Sequence, residues 1–177
     1  MTTFTRRLIG AARLDGTVYE EVEADRAATG QAALVVLLSS LAAGIGSTSA
    51  GPLTPLAMLY GTIGAFVGWV SWAALTYLIG TRLLPEPQTR ADVGELLRTL
   101  AFASAPGLLH VIGVVPLLRS PVAVVVHLWM LIAMVVAVRH ALDYTSTTRA
   151  VAVCAVGWAI SIAIVFLMGV FLATPVQ

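Results

Sequence analysis

Lysine is absent from this 177-residue chain, and all ten of its basic residues are arginines. Charge of either sign is scarce: 11% of residues are charged, against about 25% in an ordinary soluble domain. A soluble protein needs a charged surface to stay dispersed, so most of this surface is expected to face lipid. Cysteine occurs once, as Cys154, which excludes an internal disulfide and a thiolate metal cluster. No HExxH, GxSxG or GxxxxGK[ST] pattern occurs. The corresponding metallopeptidase, nucleophile-elbow and phosphate-loop chemistries therefore have no footing. The formal net charge of +1 lacks the basic footprint of a nucleic-acid partner. A cleavable leader is not expected either, because the apolar stretch Leu8–Ala12 is too short before Asp15 interrupts it.

Apolar residues are abundant: 59% of the chain, with a mean hydropathy of +0.94. They fall into five runs, about 30–46, 56–83, 95–118, 122–141 and 149–172, each close to the ~20 residues that cross a bilayer. Period-two barrel strands are absent, and backbone hydrogen bonds must close internally in lipid. The expected fold is an all-α polytopic helical bundle with about five transmembrane helices. Residues 1–29 form an amphipathic and acidic N-terminal segment, and 30–177 the membrane domain. Phe4, Leu8, Ile9 and Leu14 alternate with Arg6, Arg7 and Arg13 in residues 2–14, a pattern compatible with an anionic membrane surface. Thr17 with Glu20, and Asp92 with Glu95, read as capping boxes. Thr54-Pro55 and Ser120-Pro121 read as N-caps followed by first-turn prolines.

Arginine placement sets an orientation. Arg6, Arg7, Arg13, Arg26, Arg82, Arg90, Arg98, Arg139 and Arg149 fall on one side of a five-span chain, and Arg119 alone on the other. All nine acidic residues share the arginine-rich side. The N-terminus is thus expected in the cytoplasm and the C-terminus outside, with any soluble partner met on the cytoplasmic face.

Few residues inside the spans carry chemistry. His110 and His127 are expected at similar depth on adjacent antiparallel helices, where they could ligate haem or chlorophyll or pass a proton. Gly61, Gly64 and Gly68 form a small-residue face suited to close helix packing. Pro106-Gly107 should kink or break the third span. Arg98, Arg139, His140 and Asp143 gather at cytoplasmic helix ends, either pairing at the headgroups or forming a docking patch.

Several stretches together resemble the YIP domain family of Rab-GTPase-interacting multi-pass proteins, in its bacterial branch. They are Tyr19-Glu-Glu-Val-Glu, Leu97-Arg-Thr-Leu-Ala-Phe-Ala-Ser-Ala-Pro106, Ile112-Gly-Val-Val-Pro116, Leu128-Trp129, Ala137-Val-Arg-His-Ala-Leu142 and Thr147-Thr-Arg-Ala150. The resemblance implies five membrane helices with a cytoplasmic N-terminus. Eukaryotic members are similar to one another in a longer hydrophilic N-terminal region and an Asp-Leu-Tyr-Gly-Pro motif, neither of which stands here. Three functions are compatible with these residues. The first is a non-enzymatic scaffold or accessory subunit that packs on other membrane subunits or on itself in a bacterial plasma membrane. The second is a small channel or transporter built on the broken third span. The third is a cofactor-binding subunit using His110 and His127.

Overall fold

A computed structural model describes residues 1–47, 54–89 and 92–173, with side chains through Gly46 in the first segment and through Ile164 in the last. Arg90, the loop Ser47–Leu53 and the C-terminal Pro175-Val-Gln177 lie outside the described residues or their side chains. The described chain is helical throughout: α1 Thr3–Ala12, α2 Gly16–Ala24, α3 Thr29–Ser47, α4 Pro55–Leu78, α5 Val93–Ala103, α6 Arg119–Ala141 and α7 Thr147–Ala173. Five spans are long and apolar enough to cross a membrane, beginning at Arg26, Pro55, Val93, Arg119 and Thr147.

Local chemistry sets most boundaries. The Thr54 hydroxyl accepts from the Ala57 N–H at 3.2 Å with Pro55 at the first helical position. The Asp92 N–H donates to Glu95 Oε2 at 3.3 Å in a reciprocal capping box. Two expected caps move. Asp15, not Thr17, caps α2, because its carboxylate already holds the Thr17 N–H at 3.0 Å. Helix α6 begins at Arg119 after Leu118, placing Ser120 inside the first turn.

The third span breaks at the proline instead of kinking there: after Ala103 the chain continues as a ten-residue 3-10 segment, Ala105–Val114. Pro106 has no N–H for the carbonyl four residues back. The ladder therefore tightens, and the Gly107 N–H donates to the Ser104 carbonyl at 2.8 Å. The Ser39 hydroxyl of α3 donates to that same carbonyl at 2.8 Å. A side chain from a neighbouring helix thus satisfies backbone that lipid could not. Helix α4 ends in a widened π turn, Ile79–Leu83, into which the Tyr144 hydroxyl donates, 2.9 Å from the Gly80 carbonyl and 2.8 Å from that of Leu84.

The spans close into a ring in the order α3, α4, α7, α6 and α5 with its 3-10 continuation, back to α3. The ring is solid at the end that carries α1 and α2. There Tyr19, Val22, Leu96, Leu100, Phe102, Ala137, Val138 and Leu142 are buried together. At the opposite end it encloses open space. The closest helix approaches fall on α3. A Cβ at Gly44 would stand 2.8 Å from the Met58 carbonyl and from the Thr62 nitrogen of α4, and one at Gly46 would overlap the His110 carbonyl.

Candidate functional site

Two constellations carry polar chemistry. The first is at the arginine-rich end. Residues 1–25 fold into a hairpin, with Leu14 in the left-handed region (φ 64°) turning α1 into α2. Arg7, 5% exposed, ties the hairpin together by pairing with Glu21 at 2.9 Å and Asp25 at 2.7 Å. Those hydrogen bonds outweigh burial and hold the guanidinium pKa above its usual value, while the Arg6 and Arg7 guanidiniums hold the Glu21 carboxyl below its own. The hairpin docks on α5 and α6. The Trp129 indole N–H donates to the Ala12 carbonyl at 2.7 Å, and Tyr19 stacks on His140.

Where the hairpin meets the bundle, Glu20 and Glu23 face Glu95, Arg139, His140 and Asp143 across a cup of about 560 Å³. Of the four residues expected in a docking patch, Arg139, His140 and Asp143 line this cup. Arg98 does not: it is 5% exposed and turned inward, donating from Nε to the Val22 carbonyl at 3.2 Å and from Nη2 to the Glu23 carbonyl. It serves the orphan carbonyls of α2 and complements the negative end of that helix.

Burial, then the carboxylates of Asp143, Glu95 and Glu20, push the Glu23 carboxyl up to about 7, and Arg98 opposes them. A carboxyl raised in the folded state favours folding while it is protonated. That contribution is full below its unfolded value near 4.5 and is lost as pH rises through about 7. Amide exchange across Gly16–Ala24 should therefore be slower at pH 5 than at pH 8 after correction for intrinsic rates. Glu23→Gln should flatten the difference. An unchanged ratio in the variant would remove Glu23 as its source.

The second constellation lies in the ring. The 3-10 segment carries His110 and α6 carries His127, and their rings meet edge to face with centroids 5.0 Å apart. His110 Nδ1–H donates to the Gly107 carbonyl at 3.0 Å, and His127 Nδ1–H to the Ala123 carbonyl at 2.7 Å. Carbonyls only accept, so each ring carries a proton on Nδ1. His110 Nε2 lies 3.5 Å from His127 Nδ1, at the outer limit of a hydrogen bond. The sequence placed these residues at similar depth, and the structure brings them into contact. No group of three His, Cys, Asp or Glu side chains stands in metal-holding geometry among the described residues. Two chambers of about 380 and 390 Å³ adjoin at the pair.

Pro106 and Gly107 are buried against α3 and α6, with Ser39 and Met130 about 3.2 Å from a Cβ built at Gly107. Gly64 and Gly68 have open space around them: nothing lies within 4 Å of a Cβ at either position. Gly61 lines the outer chamber. Sequence reasoning did not single out Gly44, Gly46, Ser39 or Tyr144. A glycine in an apolar run does not reveal which backbone will cross it.

A ring of five apolar spans with a short helical N-terminal segment is a fold-level description, and comparison with known proteins takes it further. The Yip1 domain family model matches residues 16–169, all but the ends of the chain. The chain belongs to the Yip1 domain family. The resemblance drawn from the stretches between Tyr19 and Ala150 is thereby borne out, and with it a multi-pass membrane protein. No curated protein and no solved structure matches the chain. The match begins at Gly16, so the Yip1 domain takes in α2 and its cup, while α1 precedes it.

Proposed function

We propose that this Yip1 domain protein is a non-enzymatic scaffold or accessory subunit. It packs against other membrane proteins, or a second copy, through the Gly61–Gly68 face of α4, with its charged end in the cytoplasm. The observation that carries the reading is the state of α4. Only 22% of its span is buried, against 61% for the third span, and a Cβ at Gly64 or Gly68 would find no described atom of another helix within 4 Å. In lipid, apolar side chains need no cover. Small residues at a spacing of four are what permit close backbone approach by another helix. The nine-to-one division of arginines supports the orientation, and the cup with Arg139, His140 and Asp143 is then the surface offered to a cytosolic partner.

Gentle extraction from the native membrane, native electrophoresis and mass spectrometry of what travels with the protein test this reading. A stoichiometric complex that dissociates in Gly64→Leu is expected, and migration as a lone chain in both forms would overturn it. A second reading, a small channel or transporter, draws on the chambers beside the Pro106-broken span. The packed layer of Leu100, Phe102, Ala137 and Val138 supports the scaffold instead, and solute flux in proteoliposomes separates the two. A visible absorption band in the purified sample would move the haem or chlorophyll reading of His110 and His127 forward.

A further inference from the structure

The two chambers that adjoin at the histidine pair differ in character. The inner one is walled by Trp69, Trp72, Met130, Met134 and Trp158, with serine hydroxyls at Ser39, Ser104 and Ser161. Its volume of about 380 Å³ falls within the usual size of a small-molecule site, and its aromatic and thioether walls suit a flexible apolar body. All three of these hydroxyls are already committed: Ser39 donates to the Ser104 carbonyl, Ser104 to the Leu100 carbonyl and Ser161 to the Gly157 carbonyl of its own helix. The wall toward lipid is low. Gly68 is exposed with nothing near it, and Trp158 is 53% exposed.

The outer chamber, about 390 Å³, is lined by Arg119, Gly46, Gly61 and Gly113. Among the described residues, Arg119 is the one charged side chain in either lining, and none of those residues is a carboxylate. All nine acidic residues lie between 15 and 25, between 86 and 95, or at 143, on the other side of the solid end of the bundle. The described lining of the outer chamber thus contributes a guanidinium, whose several N–H donors in a low-dielectric setting select carboxylate or phosphate oxygens. Where the chambers join, Ala43 and Ala65 line both together with the two histidines. With alanine on one side, it is chiefly the His110 and His127 rings that narrow the junction among the described residues.

We infer that the paired chambers bind one anionic amphiphile, with its carboxylate or phosphate head beside Arg119 and its acyl tail running past His110 and His127 into the tryptophan-walled chamber. The site borders the proposed α4 packing face, sharing Gly61 in the outer chamber and Gly68 in the inner one, but it rests on Arg119 and the tryptophan walls and does not require that face to have a partner. The head chemistry is shared by free fatty acids and anionic phospholipids, and the experiment distinguishes them.

The full chain in phosphatidylcholine nanodiscs is titrated with dibromostearic acid, its methyl ester, and dibrominated phosphatidylglycerol, and tryptophan emission is followed. Bromine quenches on contact, and three of the four tryptophans line the inner chamber. Saturable quenching is expected with at least one acidic probe. The ester and Arg119→Gln should each shift the midpoint about tenfold to weaker binding. The acidic probe that saturates first identifies the head. Ala65→Phe, which plugs the junction at a partly exposed position, should abolish saturation while the protein elutes as the wild type does. Should Ala65→Phe fail to fold, the Arg119→Gln shift decides alone. Quenching that rises linearly with probe and is equal for acid and ester would overturn the inference, as would quenching unchanged in Arg119→Gln.

Discussion

Leucine at Gly44 should abolish accumulation of the folded protein, whereas leucine at Gly64 should leave the fold intact. Both positions are glycines in apolar spans, and sequence patterning does not separate them. At Gly44 the first added carbon would stand 2.5 Å from the Thr62 hydroxyl and 2.8 Å from each of two backbone atoms, the Met58 carbonyl oxygen and the Thr62 nitrogen. Backbone cannot rotate away as a side chain does. Helices α3 and α4 would have to separate along one of the two most extensive helix–helix contacts in the ring. Overpacking in a close-packed interior typically costs ~1–3 kcal/mol, and a clash with two backbone atoms falls at the upper end or beyond. That is a large share of a total stability of ~5–15 kcal/mol. At Gly64 the same side chain enters open space. Thermal unfolding followed by size-exclusion in detergent checks both. A Gly44→Leu protein that elutes and melts as the wild type does would show that α3 and α4 do not cross there.

Arg98→Met should release the N-terminal hairpin while sparing the five spans. The guanidinium is buried and reaches two carbonyls at the end of α2, those of Val22 and Glu23. Methionine fills most of the volume but leaves both carbonyls short of a charged donor. Hydrogen bonds to a charged group are worth ~1.5–3 kcal/mol each, and a buried acceptor left unmet costs a comparable amount. Removal of the positive charge also leaves the Glu23 carboxyl with its acidic neighbours Asp143, Glu95 and Glu20 unopposed. Amide exchange over residues 16–24 should rise by about two orders of magnitude, the equivalent of ~2.7 kcal/mol. Arg139→Met, at an exposed rim of the cup, should change it little. Equal exchange in the two variants would show that the hairpin is held by its apolar contacts alone.

These contrasts mark what could be read before the fold was known. Span number and approximate limits were legible because lipid imposes a length and an apolar composition on every helix, and Thr54-Pro55 and Asp92 with Glu95 announced their own caps. The family was legible from ordered short stretches such as Leu97–Pro106. The similar depth of His110 and His127 followed from a short connection and a rise per residue, but their contact did not. What the sequence withheld is long-range. Arg98 reads like any arginine at a helix end until α2 supplies the carbonyls that bury it. Pro106 announces a break but not the ten-residue 3-10 segment, which depends on Ser39 of α3 for one of its carbonyls. Gly44 and Gly64 differ only in which backbone passes beside them.

The α4 face is tested most directly by disulfide trapping in native membranes. In a Cys154→Ser background, a cysteine is placed at Gly64, or at the exposed Val70 about a third of a turn around the helix, and the membranes are oxidised. The scaffold reading predicts a discrete cross-linked species from the Gly64 position, at the mass of a dimer or of a defined second membrane protein, with little from the Val70 position. Equal and diffuse cross-linking from both positions, or none from Gly64, would contradict it.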